Sequence, residues 1–283
     1  MSEVQPTTFS SERFGDLQVL HRFCPMCGHD NAGANPSPYS LDIWDIVNCS
    51  DCSFTYIDKA PIYEELKDNI SWEKTFEIEV DRRTETRPIS YKVSRMTRWR
   101  MNLFPRNKFP DLVDRFAPEG HILDVGCGSG EQMKDLDARF YPSGIEISAE
   151  LATHAAAFFK QYGGDCVCAP ALKGLQSLPE NRFSGVTMRS YLEHESQPLD
   201  VLQAIHRILL DGGVAIIKVP NYGSINRLVM GKKWCGFRYP DHQNYFTPKS
   251  LRQMGRKAGF TKFKSHWSFA LPTSDNMYLV MEK

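Results

Sequence analysis

Residues 122–130 read ILDVGCGSG, an apolar strand pattern running directly into glycines at 126, 128 and 130. From residue 119 onward the chain then alternates strand and helix patterns, and such alternation buries its strands only in a parallel sheet covered on both faces. The expected class is therefore α/β. Strands are expected at 121–125, 141–146, 165–169, 183–190, 213–219, 260–268 and 275–281. Helices are expected near 130–139, 148–161, 198–210 and 248–258. Pro198 and Pro248 stand where first-turn prolines are tolerated, and Thr247 is a suitable N-cap.

The loop is not a dinucleotide fingerprint. That motif spaces its glycines G-x-G-x-x-G to seat a pyrophosphate on a helix N-terminus, whereas here the spacing is Gly126-x-Gly128-x-Gly130 with Asp124 two residues upstream. A carboxylate at that turn repels a pyrophosphate and attracts an ammonium or sulfonium, and the glycines allow close backbone approach. The next strand ends in SGIEIS, and its Glu146 suits a ribose diol because a carboxylate accepts from both hydroxyls. An adenosyl ligand with a cationic amino-acid arm and no phosphates meets these demands, and S-adenosylmethionine is such a ligand.

Residues 119–283 resemble a class I S-adenosylmethionine-dependent methyltransferase. The resemblance rests on ILDVGCGSG, GIEIS, MRSYLEH and ILLDGGVAIIKVPN in order. It implies a Rossmann-like seven-stranded sheet in which Asp124, Gly126, Cys127 and Gly128 line the methionine arm. It further implies that Glu146 holds the ribose, Ala171 and Leu172 border the adenine, and Arg189 faces the cofactor through its backbone. The whole chain is similar to bacterial methyltransferases acting on sugars, polysaccharide precursors and small metabolites. Zinc-bearing sugar C-methyltransferases of this arrangement continue into a further domain, while this sequence ends at Lys283, so transfer to oxygen is expected.

Cys24-x2-Cys27 and Cys49-x2-Cys52, separated by 21 residues, form two metal-binding knuckles. The start MSEVQPTTFS lacks the basic and apolar regions of a secretory signal, and no run of about 18 apolar residues exists. A cytoplasmic location and reduced thiols are therefore expected, with one structural zinc on four thiolates. The expected organisation is a zinc-ribbon module over 1–60, a helical connecting region over 61–118 and the methyltransferase domain over 119–283. In the connecting region Met96, Trp99 and Leu103 fall on one face of a basic helix.

Net charge is zero, from 34 basic and 34 acidic residues, but it is unevenly spread. Residues 1–60 hold three basic against eight acidic residues, which disfavours nucleic acid as the partner of this module. Residues 82–108 carry nine basic residues against Glu85, and 226–283 carry eleven against three; such stretches are either the ordinary solvated faces of helices or a setting for an anionic small-molecule substrate. No membrane partner is expected, and the oligomeric state is not legible.

The segment 221–246 is too long for an ordinary connection and lies where ligands bind in such folds. Tyr222, Trp234, Arg238 and Tyr245 are its candidate substrate contacts, the alternative being a self-packed lid whose aromatics are core. Two histidines complete the reading. His194 in SYLEHES follows the fourth strand and is the candidate general base, with His242 in YPDHQNYF competing for that role.

Overall fold

The computed structural model describes residues 6–11, 15–61, 108–264 and 266–283. The basic helix face at Met96, Trp99 and Leu103 lies outside them.

The central sheet has seven strands. Its middle strand β6 (Gly120–Val125) pairs in parallel with β7 (Phe140–Glu146) on one side and β9 (Phe183–Arg189) on the other. β8 (Cys166–Cys168) extends the sheet beyond β7, and β10 (Leu209–Pro220) extends it beyond β9. β13 (Asn276–Glu282) runs antiparallel between β10 and β12 (Lys262–Lys264), giving the order β12-β13-β10-β9-β6-β7-β8. The chain reverses its direction of travel across the sheet between β6 and β9. A crevice opens at such a switch point beyond the carboxyl ends of the strands, where α/β folds bind ligands.

Strand sequences follow from burial on both faces. Six of the seven residues of β9 are buried, and its two hydroxyls are used inside the sheet. Ser184 donates to the His121 carbonyl and Thr187 to the Asp124 carboxylate, so neither is left unpaired. The flanking helices α1 (Phe109–Phe116), α2 (Ala149–Lys160), α3 (Ala171–Ser177), α4 (Pro198–Ile208) and α6 (Pro248–Lys257) cover the sheet, and α5 (Ile225–Met230) lies in the 221–246 segment. Ser148 caps α2 by accepting from the Leu151 N–H, and Thr247 and Ser250 form a reciprocal capping box on α6.

Two expected elements differ. The helix expected over 130–139 is a single 3₁₀ turn, Glu131–Met133. Gly130 enters it at φ 81°, and only Met133 is fully buried, so one apolar anchor cannot hold several turns that are marginal by themselves. The strand expected over 260–268 is limited to β12, with a 3₁₀ turn at Trp267–Phe269 following. Helix α1 falls within the helical connecting region expected over 61–118, whereas the short helices α3 and α5, of two turns or fewer, are elements the sequence pattern does not announce.

The N-terminal residues pack directly on this body. β1 (Thr7–Ser11), β2 (Gly15–His21) and β5 (Lys59–Pro61) form one small sheet. β3 (Ile46–Asn48) and β4 (Thr55–Ile57) form a hairpin that takes β11 (Asn244–Tyr245) as a third strand. A segment late in the chain thus completes an early sheet. Cys24, Met26, Phe54 and Tyr56 share one buried cluster with Leu192, Val201, Phe246 and Leu251 of the large body.

Candidate active site

The glycine loop leaves β6 at the switch point. Gly126 has φ +73°, and a Cβ there would come within 2.7 Å of the Tyr191 ring, so glycine is required by both backbone and neighbour. Tyr191 thereby brings the turn after β9 against the loop.

Glu146 ends β7 and is 8% exposed. Its Oε2 accepts from the Gly128 N–H at 2.9 Å, and its Oε1 accepts from the Ile147 and Ser148 N–H groups, each at 2.9 Å. Beyond the ribose role expected from sequence, the carboxylate latches the loop to the second strand. Asp124 lies beneath the loop, 5% exposed, its Oδ1 accepting from Thr187 at 2.7 Å. Burial pushes its carboxyl up to about 7, opposed by the Thr187 hydroxyl and by Arg189 and reinforced by Glu146.

Other expected cofactor contacts are placed differently. The Cys127 side chain turns inward to Met133, Ala155 and Phe159, its Sγ 3.7 Å from that of Cys166, so this residue can offer a ligand only its backbone. Ala171 is buried core at the start of α3, while Leu172 is partly buried beside it. Arg189 is exposed at the carboxyl end of β9.

Beyond β9 the two candidate histidines meet. The His194 and His242 rings are perpendicular, with centroids 4.7 Å apart. Each Nδ1 faces a backbone carbonyl: that of Asp241 at 2.9 Å for His194, and that of Gly236 at 2.8 Å for His242. A carbonyl only accepts, so each neutral ring carries its proton on Nδ1 and its lone pair on Nε2. The Asp241 carboxylate is 3.6 Å from His194 Nδ1 and is paired with Arg238 at 2.7 Å.

These neighbours split the pair. Burial opposes charge on His194, but the Asp241 carboxylate and Glu193 outweigh it and hold the ring above the ordinary imidazole value. Burial, together with His194 and Arg238, pushes His242 well below that value. Asp241 itself is lowered to about 2, since His194 and Arg238 overcome its burial. Burial raises Glu193, which is 1% exposed.

The aromatic residues of 221–246 are not an open platform. Trp234 and Tyr245 are each 3% exposed and pack with Leu17, Val19, Trp44, Ile46 and Ile57 of the N-terminal strands. The indole donates to Asp275 at 2.7 Å. Tyr222 joins the same cluster under the Arg227 guanidinium. Their apolar area is consumed in joining the N-terminal strands to the large body, which corrects the substrate assignment of Trp234 and Tyr245. Arg238 remains beside the histidines.

Four residues of the site were missed from sequence: Glu193, Asp241, Asn244 and Arg22. Gln243 and Asn244 donate their backbone N–H groups to the Glu193 carbonyl at 2.8 and 3.0 Å, so the two histidine-bearing turns are tied together. Arg22, 8% exposed, donates to the carbonyls of Ile57, Gln243 and Ser196 and to the Asn244 side chain. Burial lowers it to about 10, which still leaves it charged at neutral pH. A signal existed, since Arg22 is one of three basic residues in an acidic stretch of sixty.

The four N-terminal thiols form a cluster. Cys24 and Cys49 each donate an N–H across a tight turn, to His29 and Phe54, and each carbonyl receives the N–H of Gly28 or Ser53. Gly28 and Ser53 both have positive φ, so the two knuckles repeat one backbone design. Cys24–Cys52 and Cys27–Cys49 Sγ distances are both 3.5 Å. Sulfurs on one tetrahedral zinc at about 2.3 Å stand about 3.8 Å apart, so this spacing suggests a zinc site rather than disulfides. Burial raises the Cys24 thiol, whereas the Cys52 and Asp51 N–H groups, with the Asn31 side chain, overcome burial to bring Cys49 to about 6.

A family model described as a methyltransferase domain matches residues 97–264. The chain belongs to this methyltransferase family. Its fold is that of S-adenosylmethionine-dependent class I members, and the family supports S-adenosylmethionine as methyl donor. The methyltransferase is 28% identical over 179 residues to a tRNA U34 carboxymethyltransferase of Proteus mirabilis, covering 60% of this chain and 53% of that one. It is 28% identical over 146 residues to a ubiquinone biosynthesis O-methyltransferase of Aeromonas salmonicida, covering 49% of this chain and 61% of that one. The methyltransferase thus spans about half to three-fifths of the length of these curated relatives. A solved S-adenosylmethionine-dependent methyltransferase from Archaeoglobus fulgidus matches with a TM-score of 0.48 at 17% identity, covering 61% of this chain and 90% of that one. Among the described residues, no helix is long and apolar enough to cross a membrane.

Proposed function

We propose that this methyltransferase moves the methyl group of S-adenosylmethionine to a hydroxyl of a small molecule, a sugar, nucleotide sugar or related metabolite with anionic character. The observation that carries this reading is the meeting of His194 and His242 beyond β9, joined to the glycine loop through Tyr191 on Gly126. Methyl transfer is an in-line displacement whose rate depends on acceptor placement, and a hydroxyl acceptor must also lose a proton. His194 is the residue to take it. Its Nε2 carries the lone pair, Asp241 steadies the resulting imidazolium, and His242 stays neutral beside it. Arg238, beside the histidines, supplies the substrate side by its charge.

Gly126, Gly128 and Glu146 hold the cofactor, with Asp124 biasing the loop toward a cation and the backbone of Cys127 and Arg189 and the edge of Leu172 completing the cradle. Residues 1–60 form the zinc-binding module, one zinc on Cys24, Cys27, Cys49 and Cys52 being structural because four thiolates leave no open position. The connecting region runs over 61–118 and the catalytic domain over 119–283, with 221–246 covering the site. The location is cytoplasmic. Transfer to oxygen accords with the ubiquinone O-methyltransferase relative.

A second reading, transfer to RNA, draws on the relative that acts on tRNA. The acidic balance of residues 1–60 opposes it. The purified protein incubated with methyl-labelled cofactor and cell extract separates the two. A labelled small molecule that releases its methyl from oxygen supports the proposal, and label recovered in RNA overturns it.

A further inference from the structure

We infer that Glu193, His194 and His242 form a second metal site, distinct from the four cysteines, that takes a divalent ion of borderline softness such as zinc. One ligand atom from each residue lies within 4.8 Å of the others. Donors around one tetrahedral zinc at about 2.0–2.1 Å stand about 3.4 Å apart, so modest side-chain rotations close the set.

The donor chemistry is already arranged. Both imidazoles commit Nδ1 to a backbone carbonyl, the outer hydrogen bond that fixes a ligating histidine and leaves Nε2 for an ion. Glu193 supplies the independent observation. It is 1% exposed, and its Oε2 is buried without a hydrogen-bond partner. A buried carboxylate oxygen normally finds a donor, and a cation would meet that need here. The nearby Asp241 carboxylate is engaged by Arg238 at 2.7 Å, which leaves Glu193 as the charge an ion would balance.

Three protein donors, two imidazoles and one carboxylate, match zinc sites that keep a position open for water or substrate. The partly exposed side of His194, at 20%, is where that position would face. The inference does not depend on the identity of the methyl acceptor. The base role proposed for His194 belongs to the protein without this ion; in the loaded protein the ion takes the Nε2 lone pair and would instead lower the pKa of a bound hydroxyl by Lewis acidity.

Metal stoichiometry tests this on the full chain. Wild-type protein equilibrated with excess zinc and desalted should hold two zinc ions per chain. His242→Ala and Glu193→Gln should each hold one, and cobalt-grown samples of both should keep the thiolate charge-transfer absorption of the cysteine site while losing visible bands of the nitrogen and oxygen site. That retained absorption also reports folding of the N-terminal module. Should a variant not fold, the wild type decides: cobalt-grown protein must show the second class of bands. One zinc per chain in the wild type, or a second ion unchanged in both variants, overturns the inference.

Discussion

Asp124→Asn should make the cofactor-free protein more stable at pH 8 and the cofactor less tightly bound. The wild-type carboxyl is buried and raised from 3.8 to about 7. That is roughly three units, or about 4 kcal/mol at ~1.36 kcal/mol per unit, against the ionised form in the folded state. The folded state holds the proton more tightly than the unfolded one, so this contribution to stability is full below pH 3.8 and falls as pH rises toward about 7. The amide removes the penalty while its oxygen still accepts from Thr187. Burying an unmatched amide N–H costs back about 1–3 kcal/mol at any pH, which leaves a net gain of about 1–3 kcal/mol at pH 8 and a net loss of about 1–3 kcal/mol at pH 4. Denaturant unfolding of the cofactor-free protein at both pH values measures this. Calorimetry supplies the second half: a cation at the loop favours ionised Asp124, so wild-type affinity for S-adenosylmethionine should rise from pH 6 to 8, and that of the variant should stay flat and lower. Equal destabilisation at both pH values, or a wild-type affinity indifferent to pH, refutes the assignment.

Glu146→Ala removes both the ribose acceptor and the latch on the Gly128 N–H, and calorimetry should show cofactor binding weaker by about 1–3 kcal/mol. His194→Ala should lower kcat by about 10²–10⁴ with cofactor affinity nearly constant, and near-normal turnover would move the base role to His242. Arg22→Lys cannot reproduce the planar fork that reaches four acceptors, so single-turnover methyl transfer should slow while cofactor affinity holds; equal losses in both would assign Arg22 to general folding. Cys24→Ser should lose one zinc by elemental analysis. Because Cys24 shares a core with Phe246 and Leu251, thermal unfolding should shift as a single transition rather than split in two.

Much of the catalytic body was legible because its signals are local. Glycines at 126, 128 and 130, the acidic end of β7, the caps at Thr247 and Pro248 and the paired C-x2-C knuckles each state their chemistry within a few residues, and a turn or strand end needs no remote partner to be recognised. The same locality misled at 130–139, where helix-forming residues lack the apolar anchors to hold more than one 3₁₀ turn.

What only tertiary structure decided are matters of partnership and burial. His194 and His242 stand 48 positions apart, and nothing in either motif says that their rings touch. Arg22 reaches acceptors on Ser196, Gln243 and Asn244, so an N-terminal residue helps hold the two histidine-bearing turns. Trp234 and Tyr245 have the composition of a ligand platform, yet β11 completes the N-terminal sheet and turns them into core. An aromatic side chain serves equally to bind a ring or to fill an interface, and its sequence neighbours are the same in both cases. The choice falls to whichever distant strand removes it from water, a term set by packing across the whole chain.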